Sequence, residues 1–118
     1  MHVTAALARI VISVASLERA LPLYEEVLDL RRTQESPGIV VLGLARGIEV
    51  MLHERPPTPG DAGVAPVFRV ANVDAAAAAA TGFGATIIDA PRDEPWGERQ
   101  AVLHDVDGHV VCLVTPID

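Results

Sequence analysis

The sequence predicts an α+β fold: two tandem βαβββ modules forming a cupped mixed sheet around a cleft. Three observations predict it. A strand-like segment, a capped helix and three further strand-like segments occur in that order twice. A proline- and glycine-rich linker separates the copies. Short stretches of the two copies overlay position by position.

Module one covers 7–54. Ala8-Arg9-Ile10-Val11-Ile12-Ser13-Val14 is short, β-branched and strand-like. Ser16 is the expected cap of a helix that carries Leu17, Leu21, Tyr24 and Leu28 at helical spacing. Pro22 removes one backbone donor and is expected to kink or shorten that helix. Residues near 30–35, 38–45 and 47–54 read as three strands, turned at Pro37-Gly38 and Arg46-Gly47. Residues 55–63, with three prolines and two glycines, form the linker.

Module two covers 64–116. Val64–Val70 reads as its first strand. Asn72 caps a helix over 73–81, whose Ala75–Ala80 run predicts close packing on the sheet. Strands are expected near 85–90, 98–104 and 109–115, with Asp107-Gly108 turning between the last two. In the overlay, Ile12-Ser13-Val14-Ala15-Ser16-Leu17-Glu18 lies on Phe68-Arg69-Val70-Ala71-Asn72-Val73-Asp74. Gly47-Ile48-Glu49-Val50-Met51 lies on Val110-Val111-Cys112-Leu113-Val114. An α+β sandwich without duplication is the alternative.

At 118 residues the chain has the size of one domain, 1–118. Half of it is hydrophobic, yet its only aromatics are Tyr24, Phe68, Phe83 and Trp96, so the core is aliphatic. A net charge of −7 without a basic run argues against nucleic acid. Cys112 is the lone cysteine, so no intrachain disulfide forms and a reducing compartment is expected. No signal-like leader or bilayer-length apolar run is present, which makes the cytoplasm the expected location.

Three stretches carry a family resemblance. They are Val14-Ala15-Ser16-Leu17-Glu18-Arg19-Ala20-Leu21 with Tyr24 and Val27-Leu28, then Pro95-Trp96-Gly97-Glu98-Arg99, then Asp105-Val106-Asp107-Gly108-His109-Val110-Val111. In this order they resemble the vicinal oxygen chelate superfamily, which holds glyoxalases, bleomycin-resistance proteins and extradiol dioxygenases. The character is closest to metal-free bleomycin-resistance-like members. Val106 stands where proline is usual, and Asp29 where many members have glycine. The resemblance covers about residues 7–116 and implies a homodimer of paired modules.

It also implies where a metal would sit: on His or Glu of the first and last strand of each module. Here those positions fall near Arg9, Glu49, Ala65 and Cys112. Only Glu49 is a typical ligand. Arg9 is a permanent cation and Ala65 has no donor atom. Cys112 and Glu49 alone make a poor open site. His2 is terminal, and His104 and His109 flank the Asp-Gly turn. No metal and no cofactor are therefore expected. Arg9 and Glu49 should instead pair on one sheet face, since an unpaired charge buried there would be costly.

Strand alternation places Arg9, Val11 and Ser13 on one face with Glu49, Met51 and His53, and puts Arg69 and Cys112 on the corresponding face of module two. These are the expected ligand-binding residues, together with Trp96 and Arg99. Trp96 can stack on a planar or cationic ligand, or can cap the sheet edge or a dimer contact. Arg99 can hold a carboxylate, or can sit in a surface salt bridge. Cys112 is read as a buried structural thiol before a nucleophile. Tyr24 is expected in the core with its hydroxyl at the surface.

The residues admit four functional readings. The first is a metal-independent protein that sequesters a small organic ligand, antibiotic resistance being the kind of role implied. The second is a metal-free enzyme with Glu49 as general base and Arg9 or Arg69 stabilising an oxyanion. The third is a divalent-metal-dependent lyase or dioxygenase. The fourth is a dimeric accessory protein with a vestigial pocket.

Overall fold

The computed structural model describes Thr4, residues 6–60 and residues 63–117. His2 and linker residues 61–62 lie outside the described residues. Chain order is β1 (Arg9–Val14), α1 (Leu17–Pro22), β2 (Arg31–Ser36), β3 (Ile39–Gly43), β4 (Glu49–Glu54), β5 (Val67–Arg69), α2 (Val73–Thr81), β6 (Thr86–Asp93), β7 (Glu98–His104) and β8 (Val110–Pro116). Two four-stranded mixed sheets result, ordered β1-β4-β3-β2 and β5-β8-β7-β6. In each, the first strand runs parallel to the last strand of its module and the other pairs are antiparallel. This is the βαβββ order twice. No helix among the described residues is long and apolar enough to cross a membrane.

Both helices start at their expected caps. Ser16 Oγ accepts from the Arg19 amide at 3.3 Å and Asn72 Oδ1 from the Ala75 amide at 3.0 Å. Glu54, at the end of β4, also accepts from the Leu17 amide at 2.8 Å, placing a carboxylate at the positive end of α1.

Pro22 shapes the next turn of the chain. It has no amide hydrogen to give the carbonyl of Glu18, so a regular α-helix cannot run through it unbroken. The chain widens into a π-helical turn over Leu23–Val27, closed by the Leu28 amide on the Leu23 carbonyl at 3.1 Å. The end is sealed by the Leu30 amide on the Tyr24 carbonyl at 3.0 Å, with Asp29 at φ 54°. That left-handed conformation suits glycine better than aspartate. The Asp29–Arg31 pair at 3.6 Å, both side chains about 80% exposed, offers little in return. Asp29→Gly is expected to stabilise the fold by about 0.5–1 kcal/mol, read as a higher denaturant midpoint at unchanged slope.

One aliphatic core joins the two modules. Ile12, Val14, Leu42, Val50 and Leu52 of the first sheet and Phe68, Leu103, Val111 and Leu113 of the second belong to it, with Tyr24, Ala77 and Ala80 from the helical segments. Alanines at the buried face of α2 let its backbone lie close on β6, β7 and β8. Ile10, Ile12 and Val14 point to the helix side, while Arg9, Val11 and Ser13 point to the open face.

Several boundaries differ from expectation. The first strand of module two is only Val67–Arg69, since Pro66 precedes it and Val64 and Ala65 remain outside the ladder. Strand β6 runs on to Asp93 through two register irregularities, which let an edge strand tolerate Pro91. The overlay of the last strands also slips. Ile12 pairs with Leu52 and Phe68 with Leu113, so Leu52 matches Leu113, Glu49 matches Val110, and Met51 matches Cys112. Gly47 then falls on Gly108, and both hold positive φ, 78° and 86°. The two turn glycines set the register. The slip is two residues, so the face of every side chain is kept.

Tyr24 is corrected too. It is fully buried, and its hydroxyl donates to Asp105 Oδ2 at 2.8 Å. A phenol can go inside because a buried carboxylate from the other module receives it. Asp105 Oδ1 accepts the amides of Asp107 and His109 at 3.0 and 2.9 Å. Asp107 Oδ1 accepts the Ala15 amide at 3.1 Å, and His109 Nε2 meets the Ser13 carbonyl at 2.6 Å. The Asp105–His109 turn is thus a latch between the modules.

Candidate functional site

The first sheet presents the expected polar group on its open face. Arg9 donates through Nη2 at 2.9 Å and Nε at 3.2 Å to Glu49 Oε1, on directly paired positions of β1 and β4. The side chains are 47% and 30% exposed, so the pair is half-solvated and contributes modestly to stability. Met51 and His53 follow on the same face of β4.

The remaining expected residues are not gathered there. Arg69 lies on the open face of β5 and lines a wide groove of about 690 Å³ with Leu30, Thr33, Leu44 and Ile48. Cys112 is half-buried on β8, and burial, then the charge of Asp89, pushes its thiol pKa up. A thiol shifted that way is a poorer nucleophile at neutral pH. Trp96 sits at the tip of the β6–β7 hairpin, 59% exposed, its Nε1 donating to Glu98 at 3.1 Å. It lines neither groove. Arg99 is turned toward α2. It holds Asp74 at 2.6 Å and Asp93 at 3.0 Å, and its hydrogen bonds lower the Asp74 carboxyl pKa. Its alternation partners Ala101 and Leu103 are core residues, which is why it cannot reach the open face.

A second constellation escaped the sequence reading. Where the modules meet, β1, residues from 55–60 and 64–66 and the start of β8 line a half-open cavity of about 490 Å³. Its walls are largely apolar, with Ile10, Val11, Pro56, Pro66 and Val110 among them. Ser13, Arg55 and His109 supply polar groups. Arg55 Nε donates to Ser13 Oγ at 2.6 Å, and the Arg55 amide is tied to the Val14 carbonyl at 2.9 Å. Since a carbonyl can only accept, the His109–Ser13 contact places a proton on His109 Nε2. Pro59 packs on Gly108 and brings the linker over the Asp-Gly turn. These contacts join residues 42 and 96 positions apart, beyond any local motif. The only signal in the sequence was one arginine among the linker prolines.

The model describing the Glyoxalase/Bleomycin resistance protein/Dioxygenase superfamily matches residues 6–113. The chain belongs to this superfamily. Solved structures of the superfamily's fold superpose along nearly the whole length. A glyoxalase/bleomycin resistance protein/dioxygenase family enzyme from Burkholderia phytofirmans PsJN has a TM-score of 0.81 at 19% identity, over 96% of this chain and 100% of that chain. TnmS3, an antibiotic binding protein from Streptomyces sp. CB03234, has a TM-score of 0.73 at 24% identity, over 98% and 99%. TioX from Micromonospora sp. ML1 has a TM-score of 0.70 at 23% identity, over 96% and 100%. These likenesses establish the fold. No curated protein matches the chain.

The donor set decides how well a metal of the superfamily's kind would fit. With the corrected register, the four positions are Arg9, Glu49, Ala65 and Val110. The set amounts to one carboxylate, already engaged by a guanidinium, with two alkyl groups and a permanent cation. Such a set cannot supply the three nitrogen, oxygen or sulfur ligands of an open divalent site. Residues elsewhere do not compensate: no group of three or more His, Cys, Asp or Glu among the described residues is placed to hold an ion.

Proposed function

We propose that this protein binds a small organic molecule, without a metal, and holds it with no bond broken. The junction cavity carries the reading. Its volume of about 490 Å³ lies within the range of small-molecule sites, and apolar walls surround a few polar groups fixed by one another. TnmS3, an antibiotic binding protein on the same fold, makes an antibiotic-like ligand a reasonable first candidate. The lone thiol suits a reducing compartment, so we take the cytoplasm as the location. Val67 of β5 is 58% exposed and lies outside the junction cavity, and we take a second copy of the chain as its cover.

A thermal-shift panel of glycopeptides, aromatic antibiotics and organic acids tests this, with the ligand recovered and weighed by mass spectrometry. Binding is expected to raise the midpoint and return the ligand unchanged. Turnover that disappears in Glu49→Gln would make the open-face carboxylate a general base. A panel in which nothing stabilises the chain would leave an accessory role.

A further inference from the structure

We infer that the junction cavity selects a carboxylate-bearing ligand with an apolar body; this rests on the cavity being the ligand seat. Charge and position together single out Arg55. Among the described residues, Arg9, Arg31, Arg32, Arg92 and Arg99 each lie within ion-pairing distance of a carboxylate. Arg55 does not. Its one side-chain partner there is a neutral hydroxyl, and no described residue lining the cavity is acidic.

The directions of the donors narrow the ligand further. Arg55 spends Nε on Ser13 Oγ and keeps its terminal nitrogens, which form the planar fork that matches a carboxylate. Ser13 Oγ accepts from Arg55, so its own proton remains to be given. A guanidinium and a hydroxyl bonded at 2.6 Å thus offer donors side by side. The Ser13 backbone is itself held, its carbonyl fixed by His109 at 2.6 Å. An acceptor-only group completes this set, and a carboxylate is acceptor-only. Ile10, Val11, Pro56 and Val110 then favour hydrocarbon beyond the carboxylate.

Isothermal titration of 4-phenylbutyrate against its uncharged amide tests the inference at neutral pH. The carboxylate is expected to bind about tenfold tighter or more, as hydrogen bonds to a charged group imply. Arg55→Gln should bring the two affinities together while leaving the melting midpoint near that of the parent. Arg55→Lys should keep part of the preference, since it keeps charge but loses the fork. Arg69→Gln, in the other groove, should leave the preference intact. Equal binding of acid and amide would overturn the carboxylate inference and leave the cavity reading standing. No binding of either, with Ser13, Arg55 and His109 also unaffected by any member of the wider panel in amide NMR spectra, would overturn both. A preference that survives Arg55→Gln and falls in Arg69→Gln would move the anion seat to the other groove and so contradict the inference.

Discussion

Asp105→Ala should cost roughly 3–5 kcal/mol of stability, the larger of two effects expected in the core. The carboxylate is 4% exposed and accepts from the Tyr24 hydroxyl and the amides of Asp107 and His109. Removing it leaves those donors without a partner inside the protein, and an unmet buried donor costs more than a made bond contributes. Tyr24→Phe should cost less, about 1.5–3 kcal/mol, because the two amides still hold Oδ1 and only Oδ2 loses its partner. Against a total of about 5–15 kcal/mol typical of such a chain, either loss should be plain in a urea titration.

The same pair carries a pH signature. Burial, then the charge of Asp105, raises the Tyr24 pKa well above its ordinary value. A group whose pKa is higher folded than unfolded contributes stability that is full below the unfolded pKa, about 10 for tyrosine. That contribution is lost as pH climbs from there toward the folded value. The parent protein should therefore weaken steeply above pH of about 10, and Tyr24→Phe should show a flatter fall measured by denaturation at several alkaline pH values.

Leu52→Ala and Leu113→Ala should each cost about 3–4 kcal/mol, and by similar amounts. Both are fully buried, one opposite Ile12 and the other opposite Phe68, so they are the same position of the two modules. Deleting either leaves a cavity in a core whose packing density resists collapse. Because the core and the Tyr24–Asp105 latch join the modules, each variant should still unfold in one transition seen alike by fluorescence and circular dichroism. Separate transitions for the two modules would contradict a shared core.

Much of this was legible in the sequence, for local reasons. Ser16 and Asn72 are caps because a short polar side chain can meet a helix amide three residues on. Period-two alternation put Arg9 and Glu49 on one face, and their pairing follows from the parallel register of β1 and β4. The register of β8 was harder. Val110–Val114 is an apolar run with no polar residue to mark the pleat, so a slip of two residues keeps every face and leaves no hydrophobic penalty. Turn glycines matched by backbone conformation resolve it, and φ cannot be read from letters alone.

The candidate site was less legible. The Tyr24 hydroxyl, the His109 ring and the Arg55 guanidinium are each given meaning by partners dozens of residues away. Arg99 shows the reverse case. A residue inside a family-like stretch was expected near the ligand, yet the strand's pleat and two acidic neighbours hold it on the helix side. Arg55, read only as part of a linker, lines the junction cavity.

Ligand-induced stabilisation with and without chelator tests the central claim most directly. The panel's best ligand should raise the melting midpoint by the same amount in EDTA as in zinc- or manganese-supplemented buffer, and should be recovered with its mass unchanged. Stabilisation that requires a stoichiometric divalent ion, or a ligand recovered altered, would contradict metal-independent binding.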